Sequence, residues 1–361
     1  MHLAHLRLRD FRNYARLDAV FSPGFHLLLG DNAQGKTNIL EAIYLIATLR
    51  SFRGVGSAQM IRYGQKGYFV GSQIVSQNPH ETKMYWSPQE KSLMLDSRPV
   101  RRLTDYLGVL RTVVFCTEDL LLVKGPGKAR RRFLDLLLSQ TFPAYLPMLQ
   151  RYTRALRSRN ALLKNSAPDP AALESFSHEL VDAGNQLIRM RRELLPKFSP
   201  LASSAYHRVA GETEELRLEY LPSVKRDFPV ELSQTEKRER TYRSTLVGPH
   251  RDELELLIND RSAASFGSEG QKRTLAIALK MAQAEYLTDL HGAPPILLID
   301  DIMGELDVKR RNGLLPLLER AHRSRGQMFM TATEENWPQQ LGGQVQRWLV
   351  KGGTLQTFSN D

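Results

Sequence analysis

The pattern of apolar and polar positions divides the chain into an opening set of short strands, a long helical middle and a closing mixture of strands and helices. Leu6 and Leu8 alternate with Arg7 and Arg9, and an apolar stretch over 17–21 follows a turn. Phe25-His26-Leu27-Leu28-Leu29 is apolar enough to predict a buried strand. The period then changes. Ile39, Leu40, Ile43, Tyr44 and Ala47 fall on one face of a helix predicted over 35–49. Segments 68–75, 82–86 and 92–96 read as strands of a small antiparallel sheet. From 127 to about 209 the pattern is helical, punctuated by Pro143, Pro147, the Ser166-Ala-Pro-Asp-Pro170 break and Pro196. Strand signals return at 216–220 and 254–258, the second closed by the turn Asn259-Asp260. A long helix over 268–290, a short apolar strand over 295–300, a helix over 308–322 and a strand over 327–330 complete the reading. There is no internal repeat, heptad run or low-complexity tract. The pattern predicts an α/β core split by a helical insertion.

Charge sharpens this picture. The 361 residues carry a formal net charge of +11, and residues 124–211 hold 15 Lys/Arg against six Asp/Glu, a net of +9. A cationic field concentrated in about a quarter of the chain attracts polyanions, chiefly nucleic acid; the alternative is a solvated helical surface whose acids lie elsewhere. Within this segment Arg130-Arg131-Arg132 and the series Arg151, Arg154, Arg157, Arg159 are candidates for meeting DNA phosphates, although the series does not form one clean stripe. The sole cysteine, Cys116, lies in the run Val113-Val114-Phe115-Cys116 and reads as a packed core thiol. The beginning Met-His-Leu-Ala-His-Leu-Arg lacks the roughly 7–15-residue apolar stretch of a signal peptide. No apolar run approaches the roughly 20 residues needed to cross a bilayer. The expectation is a soluble, cytoplasmic protein with no membrane partner.

The candidate chemistry starts at Gly30-Asp31-Asn32-Ala33-Gln34-Gly35-Lys36-Thr37, which matches G-x-x-x-x-G-K-[ST], with an apolar strand entering and a helix leaving. Glycines let backbone N–H groups curl around phosphates at a helix N-terminus, where the dipole favours anions. Lys36 is placed to reach the β and γ phosphates of a nucleotide, and the Thr37 hydroxyl to ligate Mg²⁺. Far along the chain, Ile296-Leu297-Leu298-Ile299 ends in Asp300-Asp301. Asp300 is expected to hold Mg²⁺ through water and Asp301 to position or polarise an attacking water; acids are also common at strand ends, and the phosphate loop is what raises these two. Ser268-Glu269-Gly270-Gln271 at the start of the 268–290 helix offers a second anion site built of a hydroxyl, amides and a helix dipole. Read alone, Ser268 is rather an N-cap with Gly270 incidental.

Taken in order, the phosphate loop, Ser-Glu-Gly-Gln, the Asp-Asp strand end and Glu305-Leu306-Asp307 resemble the ABC-type ATPase head shared by transporters and SMC proteins. The resemblance narrows to the RecF family of bacterial recombination mediators. It is carried by Phe11-Arg12-Asn13-Tyr14, by Asn38 and Leu40-Glu41-Ala42-Ile43 after the loop, by Arg50-Ser51-Phe52-Arg53, and by Glu118-Asp119-Leu120. Arg131-Arg132-Phe133-Leu134-Asp135, Arg159-Asn160-Ala161-Leu162-Leu163 and Gly248-Pro249-His250-Arg251-Asp252 extend it over nearly the whole chain.

The resemblance implies a mixed sheet around the phosphate loop with an antiparallel β subdomain, formed by 1–123 and 212–361 (lobe I), and a mostly helical basic second lobe over 124–211 (lobe II). It implies ATP and Mg²⁺ as cofactors. The signature Ser268, Gly270 and Gln271 would cap the phosphates of a twin molecule, and Asp307 would lie along the same interface. Arg12 is a candidate phosphate contact; His250 and Arg251 read rather as braces of their turn. The implied function is a slow, DNA-stimulated ATPase that dimerises on ATP, binds duplex and gapped DNA, acts with RecO and RecR, and helps load RecA at single-stranded gaps.

The chain departs from transporter-type heads in three places. Asp301 stands where they carry Glu, Thr331-Ala332-Thr333 stands where a switch histidine is expected, and no Q-loop glutamine is recognisable near Thr117-Glu118. A transporter-type subunit is disfavoured because Ser268 lies 232 residues beyond Lys36. A scaffold that holds ATP without turnover is the remaining alternative. With no aromatic-interleaved run and no zinc-type Cys/His spacing along the chain, DNA contact is expected to be with backbone and shape.

Overall fold

A computed structural model describes residues 1–165, 168–211, 213–323, 326–334 and 345–358, with the backbone alone for Glu305, His322 and Arg323. Ser166 and Ala167 of the expected break lie outside the described residues. The chain forms two compact units.

The first unit comprises Met1–Asp119, Ala205–Gly211 and Ile277–Asp361. One of its sheets is antiparallel: β1 (His2–Phe11), β2 (Tyr14–Val20), β4 (Tyr68–Val75), β5 (His80–Trp86), β6 (Lys91–Leu95) and β7 (Arg98–Pro99), ordered β2-β1-β4-β5-β6-β7. Its inner face is made by Leu6, Leu8, Leu17, Val70 and Ile74, all buried, while the alternate positions mix charged residues such as Arg7, Arg9 and Arg16 with Val20, Phe69 and Val75. The other sheet runs β15-β14-β3-β13-β12-β8. It is built from β3 (Gly24–Leu29), β8 (Thr112–Phe115), β12 (Ile296–Ile299), β13 (Gln327–Ala332), β14 (Val345–Lys351) and β15 (Thr354–Thr357). Every pair in it is parallel except the β14–β15 hairpin. Ile296 to Ile299 are buried at every position, as a parallel strand covered on both faces requires. Gln327 joins the two sheets: its side chain accepts the N–H of Leu3 at 2.8 Å and donates to the carbonyl of Leu3 at 2.9 Å.

Helix α1 (Lys36–Thr48) was expected to bury one stripe, yet every residue from Ile39 to Thr48 is buried, Glu41 included. A helix covered all round is a core element. Its last turn ends on Leu49 in the left-handed region, whose N–H returns to Leu45. Helices α9 (Ile302–Glu305) and α10 (Val308–Arg323) follow β12. Cys116 is buried and burial pushes its thiol up, which agrees with the packed reading.

The second unit comprises Leu120–Ser204 and Glu212–Ala276. It holds α2 (Leu121–Lys124), α3 (Gly127–Thr141), α4 (Tyr145–Leu162), most of α5 (Pro170–Ala210), β9 (Leu216–Leu221), α6 (Phe228–Tyr242), β10 (Glu253–Ile258), β11 (Arg261–Ser262), α7 (Ala263–Phe266) and the first turns of α8 (Glu269–His291). The sequence reading placed 212–276 with the nucleotide-binding lobe; in the structure this stretch groups with the helices instead. Ion pairs explain the grouping. Arg130 binds Glu253 at 2.7 Å, Arg131 donates to the Asp252 carbonyl at 2.6 Å, and buried Arg191 holds Asp135 and Asp252, each at 2.8 Å. Nor does α5 break at Pro196. It runs through both Pro196 and Pro200, because Leu194, Phe198 and Ala202 are fully buried along it and packing overrides the proline penalty.

His26 shows how tightly the parallel sheet is specified. Its Nε2–H donates to the Ser22 carbonyl at 2.9 Å, its Nδ1 accepts the Trp348 indole N–H at 3.2 Å, and its ring stacks on Phe329. Both nitrogens are committed, and only the neutral imidazole satisfies them. Burial accordingly pushes the pKa from 6.5 down to about 4. The folded chain therefore binds fewer protons than the unfolded chain between these values. The contribution is complete above pH 6.5 and is lost as pH falls toward 4. In urea unfolding, the wild type should lose about 2 kcal/mol more stability between pH 7 and pH 5 than His26→Phe does. Equal losses in the two proteins would contradict the neutral-ring assignment.

Candidate nucleotide site

In the parallel sheet β3, β13 and β12 are neighbours, so the chain segments leaving their carboxyl ends meet at one edge. From β3 comes the loop Gly30–Gly35. Gly30 sits at φ 151°, where an added Cβ would lie 2.3 Å from the Val350 carbonyl oxygen. Gly35 sits at φ 117°, with Asn13 only 2.7 Å from the position of a Cβ. Both need glycine for conformation and for space. The loop is held from outside: Asn13 donates to the Gln34 carbonyl at 2.8 Å, Asn38 donates to Asn13 Oδ1 at 2.8 Å, and Tyr14 donates to the Gly35 carbonyl at 3.1 Å. Gly352 and Gly353, just after β14, donate their N–H groups to the Gln34 side chain and carbonyl.

Inside the loop, buried Lys36 donates to the carbonyls of Gly30 at 2.6 Å and Asp31 at 3.0 Å. Among the described residues no acceptor takes the N–H of Gln34, Gly35, Lys36 or Thr37. An ammonium and a fan of unsatisfied amides at a helix start form a cradle that fits a phosphate chain. Asp31, Asn32 and Ala33 contribute backbone and lie exposed on the loop, Ala33 at φ 64°.

The carboxylates arrive from β12. Thr37 donates its hydroxyl to Asp300 Oδ1 at 2.8 Å, which joins the phosphate loop to the strand end. Asp301 follows in the left-handed region at φ 53°, and its N–H donates to the Thr331 hydroxyl oxygen at 2.9 Å. That hydroxyl lies 3.1 Å from Asp300 Oδ1 and 3.0 Å from Asp301 Oδ1. Thr331 therefore braces both acids from the middle strand, a role the sequence did not disclose. Burial, then the negative charges of Asp301 and Glu118, lift Asp300 to about 6 against the hydroxyl donors Thr37 and Thr331. Glu118 occupies the segment where no glutamine could be recognised, and so adds a third acid to the field at this edge. Among the described residues no cluster of three His, Cys, Asp or Glu forms a cation site by itself. One hydroxyl beside one carboxylate is the partial set that suits Mg²⁺, which takes its remaining ligands from water and substrate phosphates.

Other candidates stand differently. Arg12 does not project free toward the cradle. Its guanidinium makes a two-pronged pair with buried Glu41, at 2.7 Å for each bond, and donates to the Gln59 carbonyl at 2.8 Å. Ser268 accepts the N–H of Gln271 at 3.2 Å, and the Gln271 side chain accepts the N–H of Ser268 at 2.7 Å. This is a reciprocal helix cap, so the bland reading of Ser268 is geometrically true. Its hydroxyl proton is not used by that cap, and Ser268 and Glu269 are exposed while Gly270 is half-buried. Asp307 is exposed and accepts the N–H of Arg310 at 2.8 Å at the start of α10. His250 is a brace, as expected: it bonds Tyr152 at 2.5 Å and lies 3.1 Å from the Thr245 carbonyl. Burial lowers its pKa to about 4.

Most of the arginines singled out in the helical segment are structural. Arg130, Arg131 and Arg151 are bonded to acids or carbonyls, and Arg159 is buried against Glu239 at 2.6 Å. Arg154 and Arg157 remain exposed.

Comparison with known proteins places this geometry. Residues 2–351 match the family described as the RecF/RecN/SMC N terminal domain. The DNA replication and repair protein RecF of a Cyanothece species is 37% identical over 372 residues, covering 99% of this chain and 96% of that one. RecF of Symbiobacterium thermophilum is 38% identical over 358 residues, covering 94% of each. A solved structure of the recombination mediator protein RecF with ATP in the RecFOR pathway superposes with a TM-score of 0.89 at 28% identity, covering 99% of this chain and 98% of that chain. An Smc head domain derived from Pyrococcus furiosus shares the fold at a TM-score of 0.57. The full-length match to these relatives, on a fold with the phosphate loop and the acidic strand end side by side, makes this chain a member of the RecF family of DNA replication and repair proteins.

Proposed function

We propose that this chain is an ATP-dependent DNA-binding recombination mediator whose nucleotide site is completed by a second copy. The observation that carries the reading is the 2.8 Å bond from Thr37 to Asp300, which sets a phosphate cradle beside a buried carboxylate. The amides of the 30–37 loop and Lys36 would hold the phosphates, and Thr37 with Asp300 would hold Mg²⁺. Bound Mg²⁺ supplies neutralisation of charge on the phosphate oxygens. Asp301, fixed by Thr331, orients water for in-line attack and accepts its proton. Ser268, Gly270 and Gln271 of one copy would close over the cradle of its twin, with Asp307 along the same seam. The unused hydroxyl proton of Ser268 on an exposed helix start supports this.

The solved RecF–ATP structure supports ATP as the nucleotide, and the RecFOR pathway to which it belongs supports RecO and RecR as partners. The relatives' role in DNA replication and repair, together with the charge of +11, supports duplex and gapped DNA as the polymer bound. Loading of RecA at single-stranded gaps, with slow hydrolysis releasing DNA, completes the reading. Among the described residues no helix is long and apolar enough to cross a membrane, which accords with action on DNA in the cytoplasm.

Light scattering at micromolar protein should show the mass doubling with a slowly hydrolysed ATP analogue and Mg²⁺, while Ser268→Arg stays monomeric with nucleotide still bound. A wild type that binds the analogue and stays monomeric overturns the clamp.

Hydrolysis has its own expectation. With DNA present, Asp301→Asn and Thr331→Val should each lower phosphate release by about a hundredfold, the usual size of a general-base contribution, and Thr331→Ser should retain most of it. An equally negligible rate in wild type and variants would favour a nucleotide-holding scaffold.

A further inference from the structure

The antiparallel sheet of the first unit has an outer face that none of the preceding functions uses. Cross-strand register assembles on it a row that is scattered in sequence. Arg16 on β2 lies opposite Arg9 on β1, Arg9 opposite Phe69 on β4, and Phe69 opposite Tyr85 on β5. A parallel row beside it runs Asp18, Arg7, Gly71, Lys83. Residues directly opposite one another share a face, so the first row sets two guanidinium groups next to two aromatic rings. Together with Arg7 and Asp18 they line a surface depression of about 360 Å³.

Three features distinguish this face from an ordinary solvated surface. Like charges directly opposite on paired strands are unfavourable unless something answers them. Arg9 and Arg16 are both exposed and, among the described residues, neither makes a hydrogen bond or a close ion pair. One row away, Lys83 pairs with Glu81 at 2.7 Å, and Asp18, bonded to His5, lies in the field of Arg7 and Arg16 without a close ion pair to either. Gly71, finally, leaves bare backbone beside Phe69. A Cβ there would come within 2.9 Å of the tip of the Phe69 ring, so the ring lies down over the glycine. Beside that ring the guanidinium group of Arg9 sits one strand away and that of Arg16 two.

Flat aromatics beside arginines on the open face of an antiparallel sheet are the chemistry that takes an unpaired base by stacking and its phosphates by charge. We propose that this face binds single-stranded DNA, with Arg9 and Arg16 on phosphates and Phe69 and Tyr85 under a base. The proposal rests on the reading of this chain as DNA-binding, and adds a single-strand surface to it. A duplex would supply phosphates but no exposed base faces, and an acidic polypeptide would answer the arginines but leave the rings unused.

The test is fluorescence anisotropy with a labelled 20-mer of thymidine and, separately, a 20-base-pair duplex, across a salt series with ATP analogue and Mg²⁺. The Arg9→Ala/Arg16→Ala protein should bind the thymidine 20-mer at least tenfold more weakly, with a salt slope shallower by roughly 1.4 for two phosphates. The Phe69→Leu/Tyr85→Leu protein should lose roughly 5- to 100-fold with its slope unchanged. Gly71→Ala alters no charge and lifts the Phe69 ring; it should weaken the thymidine 20-mer and leave the duplex unaffected. Duplex binding by all three should stay within about twofold of wild type, which also reports that they fold. If wild type binds duplex and all three variants bind the thymidine 20-mer as it does, this proposal is overturned alone. Loss in the arginine variant with none in the other two overturns the stacking site and leaves a plain anion surface, as an acidic partner would use. A wild type that binds neither DNA overturns the DNA-binding reading and this proposal together.

Discussion

The hydrogen bond from Thr37 to Asp300 joins residues 263 positions apart, and the first unit is arranged around making it. For it to form, β3 and β12 must run parallel with β13 between them, and each must end at the same height. The register does this: Leu29 pairs with Ala332 and Ile299 with Met330, so the loop, Thr331 and the two aspartates emerge side by side. The interaction also sets a problem. It places a carboxylate in a buried position next to Asp301 and near Glu118, where burial and like charge disfavour ionisation. Two hydroxyls relieve part of that, and a divalent cation would relieve the rest.

Much of this edge was legible in the chain itself. Gly30, Gly35, Lys36 and Thr37 stand at fixed spacing because the backbone must curl, and the all-apolar Ile296–Ile299 strand announces where its acids point. Thr331 was not legible, because a threonine at a strand end carries no pattern; only adjacency across β13 shows that it bridges two aspartates. The reading of Arg12 as a phosphate contact stopped short for a related reason. Its partner Glu41 lies on a helix that packing buries at every position from Ile39 to Thr48, which the apolar stripe alone does not announce. Strands β14 and β15 and helix α6 also went unread. The helix has a start signal, Asp227 capping Val230 at 3.0 Å with Pro229 in the first turn, that could have found it.

The basic charge required the most revision. A net of +9 in 88 residues suggested a phosphate-binding helical face, yet Arg159 and Arg191 are among the most buried side chains of the second unit. Buried guanidinium groups there satisfy Asp135, Asp252 and Glu239 and knit 212–276 to the helices. Net charge counts these alongside displayed charges and cannot separate them. The uncommitted arginines of β1 and β2 contribute little to any local count, but register sets them together with two aromatic rings. Pairing across strands creates surfaces that linear spacing does not reveal.

The proposed nucleotide site is made of two halves borne by different copies of the chain. Mixing two defective proteins examines that most directly. Lys36→Met removes the cradle's cation and Ser268→Arg blocks the cap, so each alone should form no working site. In an equimolar mixture with ATP and DNA, only a pair made of one of each contains a site with both halves intact, which predicts partial recovery of hydrolysis where neither protein alone shows any. No recovery at any mixing ratio, from variants that each fold, would contradict the shared site and with it the central claim.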